Sequence, residues 1–142
     1  MLTLGNEIRN QIVEHALNGL PNEACGLFAA DVGDTVVHTF FPMENAAKSE
    51  TIYQLNPLEH MKVEFEADHK NIEIIGVMHS HTHTPAYPSP TDVKDAANQD
   101  PFGRWHYLII SLMEEEPSLR SFRIKGGQIT EEEVVVIGNS NY

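Results

Sequence analysis

Cysteine is nearly absent. Cys25 stands alone among 142 residues, which excludes an internal disulfide framework and any zinc site built on two or four thiolates. Basic side chains are scarce as well: nine Lys and Arg against 21 Asp and Glu give a formal charge of −12. That balance argues against a nucleic-acid backbone or an anionic membrane surface as the main partner. No apolar run approaches the roughly 20 residues that a membrane helix needs. Repeats, low-complexity tracts and Gly/Ser linkers are missing too, and the polar first 20 residues do not read as a signal peptide. The expectation is one cytoplasmic domain over 1–142. A chain of this length buries roughly 68–70% of its unfolded surface.

Periodicity supplies the elements. Ile8, Ile12, Val13, Ala16 and Leu17 recur at helical spacing, which predicts a helix over 5–18 that ends at Asn18-Gly19 and Pro21. Residues 25–30 form a short buried strand, 31–34 a turn and 35–41 a returning strand. A loop over 42–50 leads to a short strand over 51–55. Asn56-Pro57 opens a second helix, as N-cap and first helical residue, running to about 69 with Leu58, Met61, Val63 and Phe65 as its apolar content. Residues 73–81 are apolar on both faces near 74–78, so this strand is central in its sheet. A third helix starts at Ser89-Pro90-Thr91-Asp92 and ends near 98. Strands over 105–112, 119–125 and 128–137 follow, the last two joined by a Gly126-Gly127 turn. The fold class is α/β, with a mixed β-sheet covered by helices.

The chemistry sits at the end of the central strand. His79 and His81 are two apart, so both imidazoles leave the same face of the sheet. Pro85, Pro88 and Pro90 fold the chain back, and Asp92 falls in the first turn of the third helix. Two imidazoles and a carboxylate, with a fourth position for water, is a common catalytic zinc set. Ser89-x-x-Asp92 also reads as a plain capping box, and Asp92 cannot fully serve as both cap partner and ligand. The combined spacing His-x-His-x(7)-Ser-x-x-Asp nevertheless arises by chance in on the order of one in a thousand such sequences.

That stretch, His79-Ser80-His81 through Pro88-Ser89-Pro90-Thr91-Asp92, resembles the JAMM motif of the MPN-plus metalloproteases. Pro21-Asn22-Glu23-Ala24-Cys25-Gly26-Leu27 is similar to the segment that carries the family's upstream glutamate. Thr82 stands where many members have proline. With Ala86-Tyr87-Pro88, it is similar to a bacterial branch that trims a sulfur carrier protein and releases cysteine. The resemblance implies a single MPN (JAB-type) domain, related in layout to the cytidine deaminase fold. It implies one zinc ion per chain on His79, His81 and Asp92, with Glu23 as general acid-base and Ser89 as oxyanion donor. The implied substrate is a ubiquitin-like or sulfur carrier protein with a C-terminal Gly-Gly tail. Hydrolysis after that tail would release cysteine or, alternatively, free a lysine from a modifier.

Other readings compete at particular residues. His83 could join His79 and His81 in a three-histidine site if the strand ran on, though Pro85 and Pro88 keep that continuation short. Otherwise His83 is a bystander near the substrate channel. Cys25 could be a nucleophile, but a cysteine inside an apolar strand is ordinarily a small buried hydrophobe. A nucleobase deaminase needs His-x-Glu and Pro-Cys-x-x-Cys, and neither is present. A non-catalytic MPN module would lack ligands that this chain keeps, and a metal-buffering protein would need neither Glu23 nor Ser89. The docking face for the carrier and the oligomeric state are left open.

Overall fold

The computed structural model describes residues 1–138. In chain order the elements are β1 (Leu2–Gly5), α1 (Asn6–Gly19), β2 (Cys25–Asp31), β3 (Val37–Met43), α2 (Pro57–His69) and β4 (Ile72–His81). They continue as α3 (Pro90–Gln99), β5 (His106–Ser111), β6 (Ser118–Lys125), β7 (Gln128–Glu132) and β8 (Val134–Ile137). Six strands form one sheet in the order β3-β2-β4-β5-β6-β7. Only β4 and β5 run parallel within it. Such a mixed sheet covered by helices is the expected α/β architecture.

Each face of the sheet has its own core. Ile12 and Ala16 of α1 pack on Ala24, Phe28, Ala30, Phe40, Met78, Leu108 and Ile110. The opposite face sets Cys25, Leu27, Val77, Tyr107, Ile109 and Phe122 against Val63 and Ala67 of α2 and Ala96 of α3. β4 is central, as its two-sided apolar run requires. It also carries a bulge. Ala29 pairs with Ile74 and Phe28 with Gly76, so Ile75 is an extra residue. Before it, Ile72 and Ile74 face α2; after it Val77 does, while Ile75 and Met78 turn to the α1 side. One added residue reverses the alternation, and this puts His79 and His81 on the α2/α3 side.

Several local expectations differ from the structure. Residues 51–55 form no strand, because the Asn45 side chain takes their backbone groups: Nδ2 donates to the Ile52 carbonyl (2.9 Å) and Oδ1 accepts from the Gln54 N–H (3.0 Å). The predicted strand over 128–137 breaks at Glu133 into β7 and β8, and β8 leaves the main sheet to pair in parallel with β1, a strand not foreseen. In α2 the apolar residues point both ways. Val63 and Ala67 are buried, whereas Leu58, Met61 and Phe65 are exposed. Leu17 of α1 is likewise exposed. Both proline-led helices start as expected: Asn56 accepts from the Leu58 and Glu59 N–H groups, and Ser89 from that of Asp92.

Candidate active site

The carboxyl end of β4 is where the functional side chains meet. β2 runs antiparallel to β4, with Cys25 opposite His79, so the residues just before β2 lie beside the last residues of β4. That places Glu23 next to His81. The main chain is clamped there: the Ala24 N–H donates to Ser80 Oγ at 2.7 Å, and the Ser80 N–H to the Ala24 carbonyl at 2.9 Å. Parallel β5 flanks the other side, with His79 opposite Ile109 and His81 opposite Ser111. The return loop is held by Ser111 Oγ, which donates to the Thr84 carbonyl at 2.6 Å. It delivers the N-terminus of α3, and with it Asp92.

His79, His81 and Asp92 are all buried. The two Nε2 atoms are 3.1 Å apart, and Asp92 Oδ2 is 3.1 Å from each. A tetrahedron drawn with metal–ligand distances of about 2.0 Å has edges of about 3.3 Å. The triangle of donors therefore has the dimensions and the N,N,O chemistry to hold zinc. His81 Nδ1 donates to the Pro85 carbonyl at 2.8 Å, which keeps a proton on Nδ1, so that Nε2 is the nitrogen a metal would take once its own proton leaves. His79 lies flat against Tyr53, with ring centroids 4.4 Å apart and planes at 22°.

Asp92 brings the helix cap and the imidazole pair together on one oxygen atom. Its Oδ2 faces both imidazoles and also accepts the Ser89 N–H at 2.9 Å, because a carboxylate oxygen has room for several partners. Burial alone would raise the Asp92 carboxyl. The charge of His79 and hydrogen bonds from His79, His81 and the Ser89 backbone outweigh it and hold the group far below the usual carboxylate range. His81 shifts the other way: burial opposes protonation, but the Asp92 and Pro85 contacts prevail and raise its pKa.

Glu23 is 4% exposed and its Oε1 has no hydrogen-bond partner. Burial pushes its carboxyl up to about 8, with His81 opposing the rise and Asp92 adding to it. A carboxyl tuned near neutrality suits proton transfer in both directions. Ser89 is half-buried, and its Oγ accepts the Asp92 N–H at 3.1 Å. That bond uses a lone pair, so the hydroxyl proton stays available.

The structure thus brings Glu23, His79, His81, Ser89 and Asp92 to one place. It does not bring His83, whose side chain is 76% exposed and lies 3.7 Å from Glu50 Oε1. β4 ends at His81, so the strand continuation needed for a three-histidine site does not form. Burial pushes the Cys25 thiol up to about 12, which suits packing and not nucleophilic attack. Sequence reasoning missed Tyr53, Asn45 and the carbonyl of Pro85. Pro85 was visible only as a breaker, and neither loop residue carried a local signal.

Comparison with known proteins agrees with this geometry. Residues 5–125 match the family described as prokaryotic homologs of the JAB domain. The chain is 38% identical over 138 residues to the CysO-cysteine peptidase of Mycobacterium tuberculosis, covering 96% of this chain and 92% of that protein. It is 31% identical over 101 residues to the desampylase of Haloferax volcanii, covering 68% and 73% respectively. The solution structure of protein DSY2949 from Desulfitobacterium hafniense superposes with a TM-score of 0.88 at 34% identity, covering 99% of this chain and 96% of that one. The fold alone is shared with the JAB1/MPN domain protein AF2198 of Archaeoglobus fulgidus, at a TM-score of 0.62 and 15% identity over 96% and 99% of the two chains. The chain belongs to the prokaryotic JAB-domain family and is a hydrolase of the protease class.

Proposed function

We propose that the protein uses one zinc ion, held by His79, His81 and Asp92, to hydrolyse the bond after the C-terminal glycine tail of a sulfur carrier or ubiquitin-like protein, releasing cysteine. The observation that carries this reading is the triangle of three possible ligand atoms 3.1 Å apart, beside a Glu23 carboxyl whose Oε1 has no partner. The similarity to a CysO-cysteine peptidase over nearly the whole chain supports the choice of leaving group.

Zinc bound there would supply Lewis-acid activation, lowering the pKa of a water from 15.7 toward about 7. The protein's own residues do the rest. Glu23 accepts a proton from the attacking water and hands it to the departing amine, so that water is added across the amide with no net proton change. The Ser89 hydroxyl donates to the oxygen that turns negative as the carbonyl becomes tetrahedral. His81 is kept in register by Pro85, and His79 by Tyr53. A glycine tail offers no side chains to grip, so backbone pairing and a narrow channel supply affinity. The expected walls of that channel are the 42–51 and 82–87 loops. A cytoplasmic address is part of this proposal.

A second reading, removal of a ubiquitin-like modifier from lysine, draws on the likeness to the Haloferax desampylase. It also draws on a Thermus thermophilus protein described as a probable TtuB-protein conjugate cleaving protease, 33% identical over 89 residues, or 62% of this chain and 58% of that one. Mass spectrometry separates the two. A carrier bearing cysteine on its terminal glycine should lose one cysteine mass with wild-type protein and none with Glu23→Gln. An untouched carrier, alongside cleavage of a lysine-linked conjugate, would establish the second reading instead.

A further inference from the structure

The loop between β3 and α2 has no regular structure, yet it touches Glu23, His79 and the residue after His81. The Glu23 N–H donates to the Ser49 carbonyl at 2.8 Å. Thr82, the residue after His81, donates from Oγ1 to the Glu50 carbonyl at 3.1 Å. Tyr53 stacks on His79. The Ser49 hydroxyl accepts the Thr51 and Ile52 N–H groups and the Ala46 N–H donates to the Gln54 carbonyl, but one side chain ties the loop to Glu23. Asn45 is 7% exposed. Its Nδ2 donates to the Glu23 carbonyl at 3.0 Å and the Ile52 carbonyl at 2.9 Å, with the Ser49 carbonyl at 3.4 Å. Its Oδ1 accepts the N–H groups of Ala47 and Gln54, both at 3.0 Å. Three carbonyls on one edge and two N–H groups on the other leave only one orientation of the amide.

We propose that Asn45 is the positioning residue of the active site: its carboxamide fixes the main chain of Glu23 and closes the 45–54 loop, so that the base and the His79-stacking Tyr53 are aligned by one group. The proposal rests on the reading of Glu23 as the base. Glu23 has no partner on Oε1, so its aim comes from its backbone, held by Ser49 through the N–H and by Asn45 through the carbonyl. A carboxylic acid, a hydroxyl or an apolar side chain lacks the donors for this edge. No backbone ladder replaces them, because residues 44–56 contain no strand or helix.

The test combines kinetics with amide hydrogen exchange on the zinc-loaded protein. In wild type the Glu23, Ala47 and Gln54 amides should exchange slowly and at a common rate, as one cooperative unit. Exchange of Ala47 and Gln54 at free-loop rates would overturn the proposal whatever the variants do, including if they fail to fold. Asn45→Ala and Asn45→Asp should keep one zinc per chain and the carrier KM within about threefold. Their kcat should fall about 10²-fold, the cost of a misplacement near 1 Å, with exchange at Glu23 accelerated. Wild-type kcat in Asn45→Ala, or a loss that only tracks lost zinc, refutes the proposal. If Glu23→Gln turns over like wild type, the base assignment fails instead, while the exchange result still reports on the loop.

Discussion

Replacing Glu23 with glutamine should make the metal-free protein more stable relative to wild type as pH rises. The carboxyl titrates near 4.5 ordinarily and at about 8 in the folded chain. Between those values the folded state keeps a proton that the unfolded state has released. Stability therefore falls with rising pH across that window, and is flat below and above it. At about 1.4 kcal/mol per pH unit the full interval corresponds to about 5 kcal/mol. Glu23 borders a cleft of about 340 Å³ shared with His15, Asn45 and Lys48, and relaxation toward it lowers the penalty to about 1–3 kcal/mol. Glutamine does not titrate, so any cost of its own is the same at every pH. The assay is thermal unfolding of both chelator-treated proteins from pH 4.5 to 8.5. The difference in Tm should move by about 3–9 °C in favour of the variant. Zinc should shrink that movement in wild type, since a nearby dication favours the ionised carboxylate. A flat difference, or one that grows in favour of wild type, would show that Glu23 is not held in a desolvated site.

Three further outcomes follow from the geometry. His81→Ala and Asp92→Ala should each reduce bound zinc from about one per chain to a small fraction, read by elemental analysis; full occupancy in either would remove that residue from the ligand set. Ser89→Ala should lower kcat about 10²–10³-fold and stability by about 1 kcal/mol through loss of the α3 cap. Unchanged turnover with only the stability loss would leave Ser89 as a cap and nothing more. Gly76→Ala should cost about 2–3 kcal/mol in urea unfolding, because its Cβ meets the His106 carbonyl and the Phe28 ring; a neutral change would mean that the strands give way there.

The meeting of His79, His81 and Asp92 was legible because strand alternation and a proline-led helix start are local rules, and both elements formed where the pattern put them. The Glu23 segment was legible only through its likeness to a family, since a lone acid before a strand carries no period. Asn45 and Tyr53 were silent: their partners lie 22 residues back at Glu23 and 26 residues on at His79, beyond any window of periodicity. β1 escaped notice for the same reason, pairing with Val134–Ile137 at the other end of the chain. The exposed face of α2 was misread because Leu58, Met61 and Phe65 outweigh Val63 and Ala67 in bulk, and bulk does not say which side meets the sheet. The bulge was hidden inside a run apolar on both faces, where either alternation looks equally good.

That bulge makes β4 behave like a message with a reading frame. Ile75 is the one inserted letter, and the bulge takes it up so that the downstream frame is kept. Point changes at Ile74 or Val77 alter packing but keep the frame, and loss of two residues keeps it as well. Deleting Ile75 alone removes the bulge and restores plain alternation from Ile74 through Gly76, so Val77, His79 and His81 keep the α2/α3 face and the deletant should still bind zinc where it folds. Strands of this kind can thus keep the chemistry at two lengths, one residue longer with the bulge or one residue shorter without it.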